Sequence, residues 1–263
     1  MSEFKANKAV LSCSGGLDSS ALLLVLLAQG KEVRCYSFDY GQKHRIELEK
    51  IKKNITFLQG KGLPVSHQII NLEDVFSDSA SALHVGGANI PHDAYNSENQ
   101  RSTVIENRNI VFSACIYTKA LSWANKTNEN VLISLGIHKN DFSVYPDCRP
   151  ESQEMARKLY RISNWGSERV DYIAPFVNMN KAEVLGAGLD AAKVLEFTED
   201  DIKEFLSNTH SCYDVDENGN SCGLCGTCQE RIWACYMNGI EDPIPYKISK
   251  EKMLEIAKSF ETN

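Results

Sequence analysis

Apolar and polar positions alternate between two periods along the first seventy residues. Ala9 to Cys13 is a short apolar run of the kind found in buried strands. Ser20 to Ala28 is apolar on nearly all sides, as suits a helix packed into a sheet, and Gly30 follows its end. Glu32 to Phe38 predicts a second strand, Arg45 to Leu58 a charged amphipathic helix, and Val65 to Ile70 a third strand. A strand, helix, strand, helix, strand order implies right-handed crossovers and parallel pairing.

Between Glu73 and Ser102 the periodicity fails, and Gly86, Gly87, Pro91 and neighbouring Asn, Asp and Ser residues predict one long loop. Helix returns at about Asn109 to Ala124, Glu151 to Ile162 and from Lys181, with strands at Val131 to Gly136 and Val170 to Ala174. The expectation is an α/β fold: a doubly wound parallel sheet of about five strands, with a small C-terminal helical lobe. Its division is 1–206 for a nucleotide-binding α/β domain and 207–263 for the lobe, packed as one compact unit.

Composition sharpens this picture. With 263 residues, 43% hydrophobic and 24% charged, the chain suits one sizeable core with an appendage. No apolar run reaches the roughly 18 residues of a membrane span, and Met1 to Lys8 lacks a secretory apolar segment. A cytoplasmic enzyme is therefore expected, with no membrane partner. Net charge is 28 minus 35, or −7, which argues against direct nucleic-acid binding and favours small-molecule substrates.

Chemistry is expected first at Ser14-Gly15-Gly16-Leu17-Asp18-Ser19-Ser20, which follows Cys13 at the end of the first strand and opens a helix. A helix N-terminus presents unpaired N–H groups and a favourable dipole to phosphate, and glycines allow close approach. Ser14 and Ser19 add hydroxyls, while Asp18 is a candidate to hold the loop or Mg²⁺. The lysine of a Walker A loop and the spacing of a dinucleotide fingerprint are both missing.

Four of the nine cysteines crowd together as Cys212, Cys222, Cys225 and Cys228. Four thiolates at short spacing suit tetrahedral Zn²⁺ in a closed structural site, which leaves no ligand position for substrate. Loss of metal is expected to loosen the lobe before it reaches the chemistry.

The loop resembles the PP-loop of the N-type ATP pyrophosphatases. Ser37 to Arg45, Thr103 to Asn109, Tyr145 to Glu151 and Ser221 to Cys228 together resemble the 7-cyano-7-deazaguanine synthase (preQ0 synthase, QueC) family. The resemblance runs from about Lys8 to Tyr246. It implies an adenine nucleotide alpha hydrolase-like fold and a C–N bond-forming ligase in queuosine biosynthesis. That reaction converts 7-carboxy-7-deazaguanine and ammonia to the nitrile with ATP, through an adenylated acid and an amide; a homodimer is also implied.

On that resemblance Ser14, Gly15, Gly16, Asp18 and Ser19 would cradle pyrophosphate, with Cys13, Leu17 and Ser20 also in the nucleotide-binding loop, and Phe38 would meet adenine. Lys43, His44, Arg45 and Arg108 are candidates for phosphate or substrate carboxylate, Arg108 foremost, and Lys181 resembles the family's lysine near phosphate. Asp141 and Asp147 are candidates for the guanine-like edge, with an Asp147–Arg149 ion pair as the alternative. Cys148 reads as a buried structural thiol. Glu106 and Ser152 depart from the family's usual proline and aromatic residue, which bears on the shape of the substrate pocket.

Other readings stay open: a relative that attaches the activated deazaguanine to a protein acceptor or another amine, another PP-loop amide-forming or tRNA-modifying enzyme, or a zinc-stabilised nucleotide-binding module.

Overall fold

The computed structural model describes residues 4–92 and 98–260. Five strands form one parallel sheet in the order β3-β2-β1-β4-β5: β1 Lys8–Ser12, β2 Glu32–Asp39, β3 Val65–Asn71, β4 Val131–Ser134 and β5 Val170–Ile173. The helices are α1 Leu17–Ala28, α2 Ile46–Gly60, α3 Glu73–Phe76, α4 Arg108–Thr127, α5 Asp141–Val144, α6 Pro150–Ser163, α7 Lys181–Val194, α8 Glu199–Ser207, α9 Gly226–Met237 and α10 Lys250–Ser259.

Alternation along the strands sends side chains to two cores. Ala9 and Leu11 of β1 and Val33 and Cys35 of β2 pack with α1, with Ile51, Ile55 and Leu58 of α2, and with α7. Val10, Tyr36, Phe38, Val131 and Ile133 face the other way, onto Ile116, Ala120 and Trp123 of α4. Because the chain moves outward from β1 to β3 and then returns to β4, the crossover helices change face at the β1/β4 boundary. Ligands collect at such a switch point, outside the carboxyl ends of the strands.

The stretch expected to be one long loop contains a helical turn at Glu73–Phe76 and a 3-10 turn at Glu98–Thr103; its residues 93–97 lie outside the described residues. Local hydrogen bonds explain both turns better than any periodicity, since Asn71 Oδ1 accepts from Glu73 N and Thr103 Oγ1 donates to Gln100 O. The first helix starts at Leu17, three residues before the apolar run, so Asp18 and Ser19 belong to its first turn.

The segment after α8 is closely joined to the sheet domain. Ala234 and Cys235 of α9 share a buried cluster with Leu17, Leu185 and Leu206. No helix among the described residues is long and apolar enough to cross a membrane.

Candidate active site

The turn after β1 is shaped by close backbone packing. Gly15 has φ +94°, and a Cβ there would stand 2.4 Å from the carbonyl oxygen of Glu47, so only glycine fits. Gly136, after β4, is confined similarly: a Cβ would lie 3.1 Å from Ser19 N. These two close approaches bring the start of α2 and the end of β4 against the start of α1. No side chain caps α1, whose N-cap is Gly16, so its first N–H groups suit an anion. Ser14 and Ser19 sit together there, their hydroxyls 3.2 Å apart.

A cavity of about 230 Å³ opens at this switch point. Its wall includes Cys13, Ser14, Asp18 and Ser19 from the loop, Phe38 and Tyr40 from the end of β2, Arg108 and Phe112 from α4, Asp141, and Tyr213 from the cysteine segment. His44, Glu47, Asn109, Tyr145 and Cys148 also line it. Leu17 and Ser20 do not: Leu17 packs among Leu185 and Leu206, and the Ser20 hydroxyl is buried with no hydrogen-bond partner among the described residues. Any contribution they make to a ligand is through backbone.

Lys181, singled out from sequence, meets this region through Asp18. A capping box of Asn180 and Glu183 starts α7 at this residue, and the lysine is 3% exposed. A buried cation at a helix N-terminus opposes both desolvation and dipole. Its Nζ donates to Asp18 Oδ2 at 2.5 Å and lies 3.4 Å from His138 Nε2. Burial acts to lower the lysine's pKa, but Asp18, Glu230 and Asp141 outweigh it and raise it. Burial likewise acts to raise Asp18, yet Lys181 and His138 hold it below the usual carboxylate range. Asp18 Oδ1 and Glu230 Oε2 are buried without hydrogen-bond partners among the described residues.

Arg108 reaches the cavity between the rings of Tyr40, Phe112 and Tyr145, each 5.7 to 5.9 Å from its guanidinium carbon. Its Nε donates to Asn109 Oδ1 at 3.2 Å, and no carboxylate pairs with it among the described residues. A half-buried guanidinium that faces a cavity without a carboxylate partner has the chemistry to bind an anion.

Other residues singled out from sequence lie elsewhere. Lys43 donates to the carbonyls of Gly87 and Ala88 and so fastens the following loop. Arg45 pairs with Asp39 and Glu73 at the surface. Asp147 accepts from Asn109 Nδ2 behind the cavity wall, Arg149 is exposed, and the two form no ion pair among the described residues. His44 does reach the cavity; burial, with His210 and Arg108 nearby, lowers its pKa to about 3 and keeps it neutral. The Cys148 thiol is buried and its pKa is pushed up by desolvation.

Cys212, Cys222, Cys225 and Cys228 are all buried, with their sulfurs within 4.8 Å of one another. Backbone N–H groups of Cys222 and Asp214 donate to Cys212 Sγ, and those of Leu224 and Cys225 donate to Cys222 Sγ. Such N–H to sulfur bonds stabilise thiolates, so the group fits a tetrahedral metal. The lobe does not stand apart from the chemistry. Tyr213, next to Cys212, lines the cavity with its hydroxyl 3.4 Å from that of Tyr145, and Glu230, two residues beyond Cys228, faces the Lys181 cluster.

Sequence reasoning assigned no role to Tyr40, Glu47, Phe112, His138, Tyr145, Tyr213 or Glu230. Tyr40 and Tyr145 stood inside quoted motifs, and that was their only signal.

The sequence matches the family described as "Queuosine biosynthesis protein QueC" over residues 8–239. It is 35% identical to a 7-cyano-7-deazaguanine synthase of Marinomonas sp. (strain MWYL1), over 92% of this chain and 99% of that protein. It is 36% identical to one of Caldicellulosiruptor saccharolyticus, over 92% and 96%. A synthase of Colwellia psychrerythraea is 34% identical over 92% and 100%.

Proposed function

The chain belongs to the QueC family and is an enzyme of the ligase type, and we propose that it converts 7-carboxy-7-deazaguanine and ammonia to 7-cyano-7-deazaguanine at the expense of ATP. The observation that carries this reading is the meeting, in one cavity, of the uncapped α1 N-terminus with Asp18, Arg108 and Asp141. A phosphate site and an acid-binding site thereby share one wall.

A carboxylate resists attack until its oxygen becomes a good leaving group, and transfer of AMP makes it one. In this reading Ser14, Gly15, Gly16 and Ser19 hold pyrophosphate by backbone and hydroxyl donors. Lys181 neutralises phosphate charge from its buried position, and Phe38 borders adenine. Arg108 holds the acid's carboxylate, and Asp141 accepts from the guanine-like edge, with Asp147 and Arg149 supporting the wall from outside. The orphaned Asp18 Oδ1 supports Asp18 as the residue that would hold Mg²⁺, which supplies charge neutralisation on the phosphates when bound.

The four cysteines would hold Zn²⁺ as a structural ion. The lobe 207–263 then contributes Tyr213 and Glu230 to a site built on 1–206. A homodimer is supported by Met155, Leu159 and Ile162 on α6 and by Trp165, 97% exposed.

The deciding experiment incubates the protein with ATP, Mg²⁺, ammonium and 7-carboxy-7-deazaguanine and reads the product mass with AMP and pyrophosphate release. Nitrile formation is expected. No nitrile, together with turnover of another acid, overturns the assignment.

A further inference from the structure

Among the cavity carboxylates, two are committed to neighbours. Asp18 is held by Lys181, and Asp141 accepts from His138 N with its other oxygen 3.6 Å from His138 Nε2. Glu47 is different. It is buried in the first turn of α2 and lines the cavity. Its Oε1 accepts from Gln42 Nε2 at 3.3 Å and lies 3.7 Å from His44, which burial keeps neutral. No Lys or Arg pairs with it among the described residues, and its Oε2 accepts no hydrogen bond there. The groups facing it are Arg108 from α4, Tyr40 from the end of β2, and Gln42 and His44 from the turn before α2.

The proposed reaction needs a nitrogen nucleophile, and ammonia in neutral water is mostly ammonium, which has no lone pair. A group in the cavity that takes its proton would supply the nucleophile from the abundant form. We propose that Glu47 is that group: its carboxylate accepts a proton from ammonium and releases ammonia beside the activated acid. This inference rests on the reading above that the donor is free ammonia.

The surroundings favour the step. Arg108, close but unpaired, disfavours a second cation and so favours ammonia over ammonium at this corner. Burial raises the Glu47 pKa to about 8 against the opposing effects of Arg108 and Gln42, which suits a group that both takes and returns a proton near neutral pH. In the step itself the N–H bond of ammonium breaks and an O–H bond forms on Glu47. The nitrogen lone pair then attacks the adenylate carbonyl carbon and the C–O bond to AMP breaks. The bonding pair leaves with the phosphate, which takes the second proton from nitrogen, giving amide and AMP. Glu47 returns its proton to solvent before the next donor arrives.

The test compares Glu47→Gln with the wild-type enzyme using two donors, ammonium and hydroxylamine, the second being uncharged at neutral pH. Glu47→Gln is expected to lose on the order of 10²- to 10³-fold in kcat/KM for ammonium. With hydroxylamine it is expected to stay within a few-fold of wild type. Equal losses with both donors, or undiminished use of ammonium, overturn the role of Glu47.

If Glu47→Gln does not fold, Glu47→Asp carries the same comparison. A smaller loss confined to ammonium is then expected, and a loss shared by both donors overturns it. Failure of the wild-type enzyme to make amide, hydroxamate or nitrile from either donor counts instead against the proposed function.

Discussion

Two buried ion pairs in this protein invite comparison. Arg231 and Asp242, each 1% exposed, are fully satisfied. Arg231 donates to both carboxylate oxygens at 2.7 and 2.9 Å, to Thr209 Oγ1 and to Leu206 O, while Tyr246 and Ile244 complete Asp242. Lys181 is nearly as deeply placed, yet among the described residues Asp18 Oδ1 has no partner and neighbouring Glu230 leaves Oε2 bare. Both pairs bear desolvation. One is closed by its own hydrogen bonds and serves the fold, tying α9 to the end of α8. The other keeps unfilled valences beside a cavity, as a site that completes itself on ligand must.

The strongest way to break this distinction is to truncate the closed pair. Arg231→Ala leaves a buried unpaired carboxylate and is expected to cost about 3–5 kcal/mol, read as a lower midpoint in denaturant. Activity per folded molecule should survive. Asp18→Asn is expected to do the reverse. Removing charge from the open pair should lower kcat on the order of 10²-fold or more with a far smaller change in unfolding midpoint. Should the two variants show the same split between stability and turnover, the comparison fails.

A milder test uses acid. His44 has its folded pKa lowered to about 3 from an ordinary value of about 6.5, so between those values the unfolded chain binds the extra proton. The neutral, buried histidine therefore contributes stability above pH 6.5 that is lost as pH falls toward 3. The slope it adds is at most about 1.4 kcal/mol per pH unit. Urea melts between pH 6.5 and 4.5 should show a shallower decline for His44→Asn than for wild type.

The smallest effect is expected at Lys43. With its amine on the Gly87 and Ala88 carbonyls, Lys43→Ala should cost about 1 kcal/mol of stability or less. The KM for ATP should change less than twofold, and a large rise in that KM would return Lys43 to the phosphate site.

What could be read in advance followed from local rules. The strands near Ala9, Glu32, Val65, Val131 and Val170 announce themselves by apolar runs between turns. The four cysteines announce themselves by spacing, and the loop at Ser14 by glycines between a strand and a helix. Lys181 was legible only through family likeness, because a lysine opening a helix is ordinarily solvated. Lys43 and Arg108 were both candidates for phosphate or carboxylate, with Arg108 favoured. The difference lies in what each meets after folding: two loop carbonyls for Lys43, and a ring of aromatic faces without a carboxylate for Arg108.

The chain by itself determined the five-stranded parallel fold, the glycine-rich loop between strand and helix and the clustered thiols, because each depends on residues within one or two turns of sequence. Only the tertiary structure decided which charges gather at the cavity. Asp18 and Lys181 stand 163 positions apart, and from the cysteine lobe Tyr213 lines the cavity while Glu230 faces Lys181. Burial, which sets whether a carboxylate keeps or shares its proton, is a property of the assembled packing and is written in no single segment.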